Sequence, residues 1–396
     1  MEESYACESK YIRGGYAALM IFLWVSVALD YQGRIHNTTV CLGKNRYNES
    51  GKIILRTVFL VLGVMAAFRG MDITNDTAAY YRTYQNIAYN GFAGETRMEI
   101  GYVALNILLS HIFQDNLTGF HVLLFVTASF SYFSLEQWIE RHADTYGISI
   151  IAFYFLSNQS YMSAIRQSVA VGFVLWALMA WENKSRLHRH VVFFLLTFAA
   201  VLFHKTAVIA VLLPFLAKRK YTSNTTWIII VITLIATYTN LVSSMILLIG
   251  IGTGYVTTEV GNAVNAGVMS VLYVALLLLR SFGRHRDGID RKNIYQQESS
   301  VVSNAVYGDD FYTYCIALSL AVTVISLRAA GISRLNIYLQ LIGLPYISNI
   351  MNQLKDQRIA VIVKVIFSAA IWSYSVIALV YRPEWQHIWP YHFYWQ

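Results

Sequence analysis

The side chains in this chain that could do chemistry fall in a few short segments, each set among apolar runs. FRGMDITNDTAAYYRTY carries Arg69, Asp72, Asp76, Tyr80, Tyr81 and Arg82, and an E-x-G-Y stretch after it adds Glu99 and Tyr102. SNQSYMSAIRQSVAVGF places Arg166 and Gln167 after a polar break, and FAAVLFHKTAVIAVLLPF sets His204 and Lys205 between two apolar runs. SLRAAGISRLNIYLQLIGLPY brackets an AAG break with Arg328 and Arg334, followed by Asn336 and Tyr338. A charge at mid-depth in hydrocarbon costs at least about 2.5 kcal/mol, so each of these groups needs a cavity or a partner. Guanidiniums stay charged and grip phosphoryl oxygens through paired donors, which makes Arg166, Arg334, Arg69 and Arg328 candidates for binding an anionic headgroup. Asp76, Glu99 and His204 are the groups able to take a proton from a reacting hydroxyl. Together they read as a site for a phosphate-bearing substrate.

Each group also has a plainer reading. Asp76 at a helix start can be an N-cap, Arg166 can snorkel to lipid headgroups, and a membrane histidine such as His204 can simply bond a neighbouring helix. The aromatic tail EWQHIWPYHFYWQ suits an interfacial belt, and its rings also suit stacking on sugar faces. The acids are too few at ligand spacing for a divalent cation, and Cys7, Cys41 and Cys315 lie too far apart for a zinc or disulfide framework. No metal and no cofactor is expected.

The elements that must position these residues follow from composition. Of the 396 residues 56% are apolar and only 13% charged, against about 25% charged in soluble domains. Apolar runs lie at 14–30, 53–69, 118–136, 147–162, 164–182, 189–203, 205–217, 227–250, 264–282, 310–328, 335–353 and 359–381. They predict an all-α, polytopic membrane bundle of about 12 transmembrane helices in a single domain over 1–396. The net charge of +8 sits in short basic clusters between the runs, which sets topology and gives no reason to expect nucleic acid. Placing those clusters in the cytoplasm leaves the stretch opened by Glu99, which contains Asn106, Ser110 and His111, as a re-entrant or interfacial helix. It also leaves 283–309 as a cytoplasmic loop, and 69–98 and the tail 383–396 outside. The same topology gathers the reactive side chains at the outer helix ends.

The order of an R-x6-D-x3-Y block, E-x-G-Y, a helix-opening R-Q, H-K-T-A and a late Arg resembles the EpsG-type exopolysaccharide and O-antigen polymerases, relatives of Wzy. The resemblance spans most of the chain. It falls on Arg69, Asp76 and Tyr80, on Glu99, Gly101 and Tyr102, on Arg166 and Gln167, on His204, and on Arg334 with Tyr338. Asn75 stands where the family commonly has a glycine. The resemblance implies a GT-C-like or Wzy-like membrane fold in the bacterial inner membrane with its active site facing the periplasm or cell exterior. It implies transfer of a growing glycan from undecaprenyl diphosphate to the non-reducing end of another lipid-linked repeat, without a metal. The implied partners are those lipid-linked repeats, membrane lipid and a chain-length regulator protein. An O-antigen ligase-like transferase would need the same arginines. A flippase would instead need charges strung along a central path, where Lys364 is the main interior one, and a structural subunit would need the polar groups only to satisfy each other.

Overall fold

Backbone amides in lipid must be satisfied within their own segment, so apolar runs become helices, and among the described residues the regular secondary structure is helical throughout. The computed structural model describes residues 44–94, 97–182, 186–239, 260–284, 307–354, 356–381, 387–388 and 391–396. The expected first span at 14–30, Cys7, Cys41, the second half of 227–250 and nearly all of the 283–309 loop lie outside them. In chain order the helices are α1 (Lys44–Ala67), α2 (Thr77–Asn90), α3 (Ile100–Ile112), α4 (Asn116–His142), α5 (Gly147–Leu156), α6 (Asn158–Ser163), α7 (Ile165–Trp181) and α8 (Arg186–Phe203). They continue with α9 (Leu213–Ala217), α10 (Ser223–Tyr238), α11 (Val260–Arg284), α12 (Asp309–Ser326), α13 (Ser333–Asn352) and α14 (Gln357–Tyr381).

Helices α1, α4, α5, α7, α12 and α13 share one apolar core in which Trp138, Phe153, Tyr161, Tyr338 and Tyr346 are fully buried. α13 continues through Pro345, and nearby the Trp138 indole N–H donates to the Ile342 carbonyl at 3.1 Å. Charged groups close one end of this core. Arg56 donates to both Glu140 oxygens at 3.0 Å, and Glu182 meets His142 at 2.8 Å and Arg141 at 3.6 Å. At the opposite end α2, α3 and the first turns of α4 pack through a second cluster of Tyr84, Tyr102, Phe120 and Leu124 against Ile165 of α7.

By length and composition, three helices among the described residues can cross a membrane: Asn116–His142, Ala263–Ser281 and Gln357–Ala378. Several further apolar helices among the described residues are shorter, at 10–17 residues, so the twelve expected crossings reduce at this level to an all-helical membrane protein with several short elements. The 205–217 run departs from a regular helix: Lys205–Leu212 is a 3₁₀ helix of 8 residues leading into α9. The steeper rise stretches these thirteen residues to about 24 Å, against about 20 Å as α-helix. Within the stretch expected as an outer loop, 69–98, residues 77–90 form α2, whose buried Tyr80, Tyr84 and Ile87 make it part of the packing.

α3 approaches α8 so closely that a Cβ on Gly101 would lie 2.8 Å from the Leu202 carbonyl oxygen. That oxygen belongs to a helix backbone and cannot step aside. Gly101→Ala is therefore expected to lower stability by about 1–3 kcal/mol through overpacking. Gly267→Ala in α11, where nothing lies within 4 Å, should leave it unchanged or slightly raised. Thermal unfolding of both variants purified in detergent checks the contrast.

Candidate functional site

The Glu99 carboxylate joins three elements that are distant in sequence. Glu99 occupies the N-cap position of α3 in extended conformation, with no capping bond from its side chain, which frees the carboxylate to point away from its own helix. One oxygen, Oε2, is ion-paired with Arg166 Nη1 in the first turn of α7. The other, Oε1, lies 3.3 Å from His204 Nδ1, off the line of a hydrogen bond, and 3.4 Å from the Lys205 backbone N–H that donates to it. The ring of Tyr102 lies 6.0 Å from Arg166 Cζ, and Tyr80 stands edge-on to Tyr102 at 5.7 Å. Glu99 is 8% exposed and His204 6%. Burial alone would raise the Glu99 carboxyl; the His204 imidazole and the Arg166 guanidinium outweigh it and hold it down at about 2. The site also keeps unused hydrogen-bonding capacity, because Arg166 Nε and the Tyr102 hydroxyl are buried without partners.

A second contact brings in α13. The Gln167 side-chain amide donates to the Arg334 carbonyl, so the first turns of α7 and α13 touch and Arg166 and Arg334 open helices at the same end of the bundle. Arg334 is exposed. Arg328 is exposed beyond the end of α12. Fully buried Tyr338 accepts from Thr206 at 3.4 Å, which ties α13 to the 3₁₀ stretch that follows His204.

Arg69 and Asp76 occupy the neighbouring turn and behave differently from each other. Arg69 is only 2% exposed. Its Nε donates to Thr77 Oγ1 at 2.8 Å and its Nη1 to the Ala66 carbonyl at 2.6 Å, while Nη2 has no acceptor. A guanidinium does not give up its proton, so Arg69 is a cation carried by these two bonds. Asp76 is exposed, and although it holds the N-cap position of α2 its side chain makes no cap; it accepts instead from the Ser163 hydroxyl at 2.9 Å. The left-handed residue of the turn is Thr74, at φ 64°, rather than Asn75 at the family's glycine position. A β-branched residue there carries a strain of about 1–3 kcal/mol that its surroundings must hold.

The C-terminal tail is part of what holds it. Arg69 and Phe393 form an isolated antiparallel bridge, Gly70 N–H donates to the His392 carbonyl at 3.1 Å, and Tyr394 N–H to that of Phe68 at 3.0 Å. Thr74 N–H donates to the His387 carbonyl at 2.7 Å, and His392 meets Asp72 at 2.8 Å. A side chain at Gly70 would collide with the His392 ring at 2.2 Å, so the bare backbone is what lets the tail lie flat. Sequence reasoning took the tail's aromatics as a belt or a sugar platform and gave no sign of this pairing. It also passed over Thr77 and Thr206, hydroxyls whose only signal is a place beside a charged residue, and Ser163, which adjoins none.

The low Glu99 value carries a sign. The folded value lies below the 4.5 of an unperturbed glutamate, so between the two the unfolded chain binds more protons. The pair's contribution to stability is complete above about pH 4.5 and is lost as pH falls toward 2. The difference in Tm between the native protein and Glu99→Gln should be flat from about pH 5 to 8 and shrink below about 4.5. A difference that did not shrink below about pH 4.5 would mean the carboxylate is not held down by its neighbours.

No curated protein and no solved structure matches the chain. The EpsG family model matches residues 52–393, from within α1 to the tail, and so takes in Arg69, Asp76, Glu99, Arg166, His204 and Arg334. Over that span, which is most of its length, the chain belongs to the EpsG family.

Proposed function

We propose that this protein is the polymerase of a surface polysaccharide, transferring a growing glycan from undecaprenyl diphosphate to the non-reducing end of a second lipid-linked repeat at the outer face of the bacterial cytoplasmic membrane. Family membership supports a membrane-embedded role in polysaccharide synthesis. The observation that carries the finer reading is the buried Glu99 carboxylate set between Arg166 and His204. A buried acid held ionised by a guanidinium is a poor proton acceptor and a good anchor. With Nδ1 of His204 facing that anchor, Nε2 is the nitrogen left for a reacting hydroxyl.

In the proposed step the acceptor hydroxyl oxygen bonds to the anomeric carbon as the bond from that carbon to the diphosphate oxygen breaks. His204 Nε2 takes the hydroxyl proton, and Glu99 stabilises the imidazolium, as the carboxylate of a His–carboxylate pair does elsewhere. The electron pair leaves with the lipid diphosphate, whose growing charge is met by Arg166 and, from the touching helix, Arg334, with Arg328 beyond them. Gln167 sets the distance between those two helix starts. Tyr80 and Tyr102 wall the site, Asp76 at the exposed rim is the alternative base, and Arg69 keeps the turn beneath it in shape.

The depth of the site suits a lipid-borne donor. α7 has 17 residues and is about 25 Å long, so Arg166 lies within roughly one hydrocarbon thickness, about 30 Å, of the charged layer at Glu182. α3, with 13 residues, reaches only about 20 Å, which favours its placement as a half-membrane helix lining the cavity.

In a deletion strain, Arg166→Ala, Arg334→Ala or His204→Ala should insert normally yet leave surface glycan at a single repeat. Loss of one base costs typically about 100 to 10,000-fold, and loss of one donor to the developing charge about 100 to 1,000-fold. Near-native chain lengths on a gel for both Arg166→Ala and His204→Ala would remove this reading. Long chains retained on carrier lipid in the deletion strain would point to a ligase instead.

A further inference from the structure

A groove of about 710 Å³ opens between α10, α11 and α12, in a part of the bundle that contributes nothing to the Glu99 cluster. Its lining is sorted by depth. Tyr221, Thr222, Ser223 and Arg280 lie at one end, while Leu234 and Val324 mark the apolar other end. Thr233, the one hydroxyl among the deeper residues, donates to its own helix at Ile229. From Thr222 to Leu234 along α10 is about 18 Å, close to the roughly 15 Å of one leaflet's half of the hydrocarbon core.

The polar end is built around an incompletely satisfied cation. The Arg280 side chain is 7% exposed and its Nη2 is ion-paired with Asp310. Its Cζ lies 5.1 Å from the Tyr221 ring, and its Nη1 is buried without a hydrogen-bond partner. The N-terminus of α10 opens at the same end, where its first amides and helix dipole favour an anion. Immediately before it stand exposed Lys218, Arg219 and Lys220. An apolar trough one leaflet deep, ending in a buried unspent N–H beside a helix start that follows three exposed cations in sequence, is complementary in shape and charge to one kind of molecule.

We infer that this groove holds one anionic glycerophospholipid, its phosphate against Arg280 and the start of α10 and its acyl chains along α10, α11 and α12. By the bias of basic residues it belongs to the cytoplasmic leaflet, on the side away from the Glu99 cluster. The lipid supplies the acceptor that Arg280 Nη1 lacks and covers the apolar lining between these helices. It therefore acts as a structural ligand of this half of the bundle, separate from any lipid-linked sugar.

The test uses the full chain purified in detergent, titrated with phosphatidylglycerol or phosphatidylcholine, and bound lipid counted by native mass spectrometry alongside Tm. Phosphatidylglycerol is expected to bind at least about tenfold tighter than phosphatidylcholine and to raise Tm. Arg280→Gln should cut that preference to about twofold or less. Because that variant breaks the ion pair to Asp310 and can fail to fold, Ala321→Trp, which fills the groove while leaving the Arg280–Asp310 pair intact, is the second arm and should weaken both lipids. Equal affinity for the two lipids, or Ala321→Trp binding phosphatidylglycerol as well as the native chain, would overturn the inference. So would a Tm that responds to neither lipid, the result expected if the chain covers the groove with its own residues.

Discussion

A carboxylate taken out of water has to be balanced where it sits, and one end of this bundle is organised around that requirement. Glu99 cannot reach a partner on its own short helix, so α7 must deliver Arg166 and α8 must deliver His204 to the same point. Gly101 lets α3 approach the α8 backbone, and the Lys205 amide supplies a further donor from the start of the 3₁₀ stretch. Once the acid is neutralised by its neighbours, the imidazole and guanidinium are fixed in relation to each other. Removing one partner of such a buried pair typically costs about 3–5 kcal/mol, because the other charge is stranded. The ion cluster thus sets the geometry of the site and limits which substitutions it tolerates.

Arg69 presents the same physical problem with a different answer. Among the described residues no acid meets it; its charge is supported by Thr77 and a carbonyl. The turn that makes this possible includes Thr74 in a left-handed conformation and is clasped by the C-terminal tail. Aromatic rings reinforce the clasp: Tyr394 stacks on His121 at 3.9 Å and lies 6.2 Å from Phe68. The tail therefore reaches the Glu99 end of the bundle through backbone pairing, and shortening it would alter the turn beneath Asp76 and Tyr80.

The two ends of the bundle solve opposite tasks. At the Glu99 end, charge is concentrated, partly buried and left with unspent donors at Arg166 and Tyr102, which is what a reacting anionic substrate needs. At the other end, Arg56 with Glu140 and Glu182 with His142 and Arg141 are paired with each other and close the core. Polar residues that merely satisfied one another throughout would make a structural subunit. The unspent donors beside Glu99 are what favour the proposed active site over that plainer reading.

Much of this was legible in the sequence, for a physical reason. Charged residues among apolar runs are expensive, so Glu99, Arg166, His204, Arg69 and Arg334 announced themselves by type and place alone, and the helical class followed from the hydropathy of the runs. Helix starts at Arg166 and Arg334 were readable from the polar break before the one and the AAG break before the other. What the sequence did not contain was who meets whom. Glu99 and Arg166 are 67 residues apart, and only the packing of α3 against α7 and α8 turned a candidate base into the partner of a cation and left the imidazole beside it. Likewise only the folded chain placed the tail on Arg69, moved the left-handed residue to Thr74 and opened the groove at Arg280. Local composition determines where a charge must be answered; which distant group answers it is decided by helix packing, because that choice depends on contacts no short stretch of sequence can make.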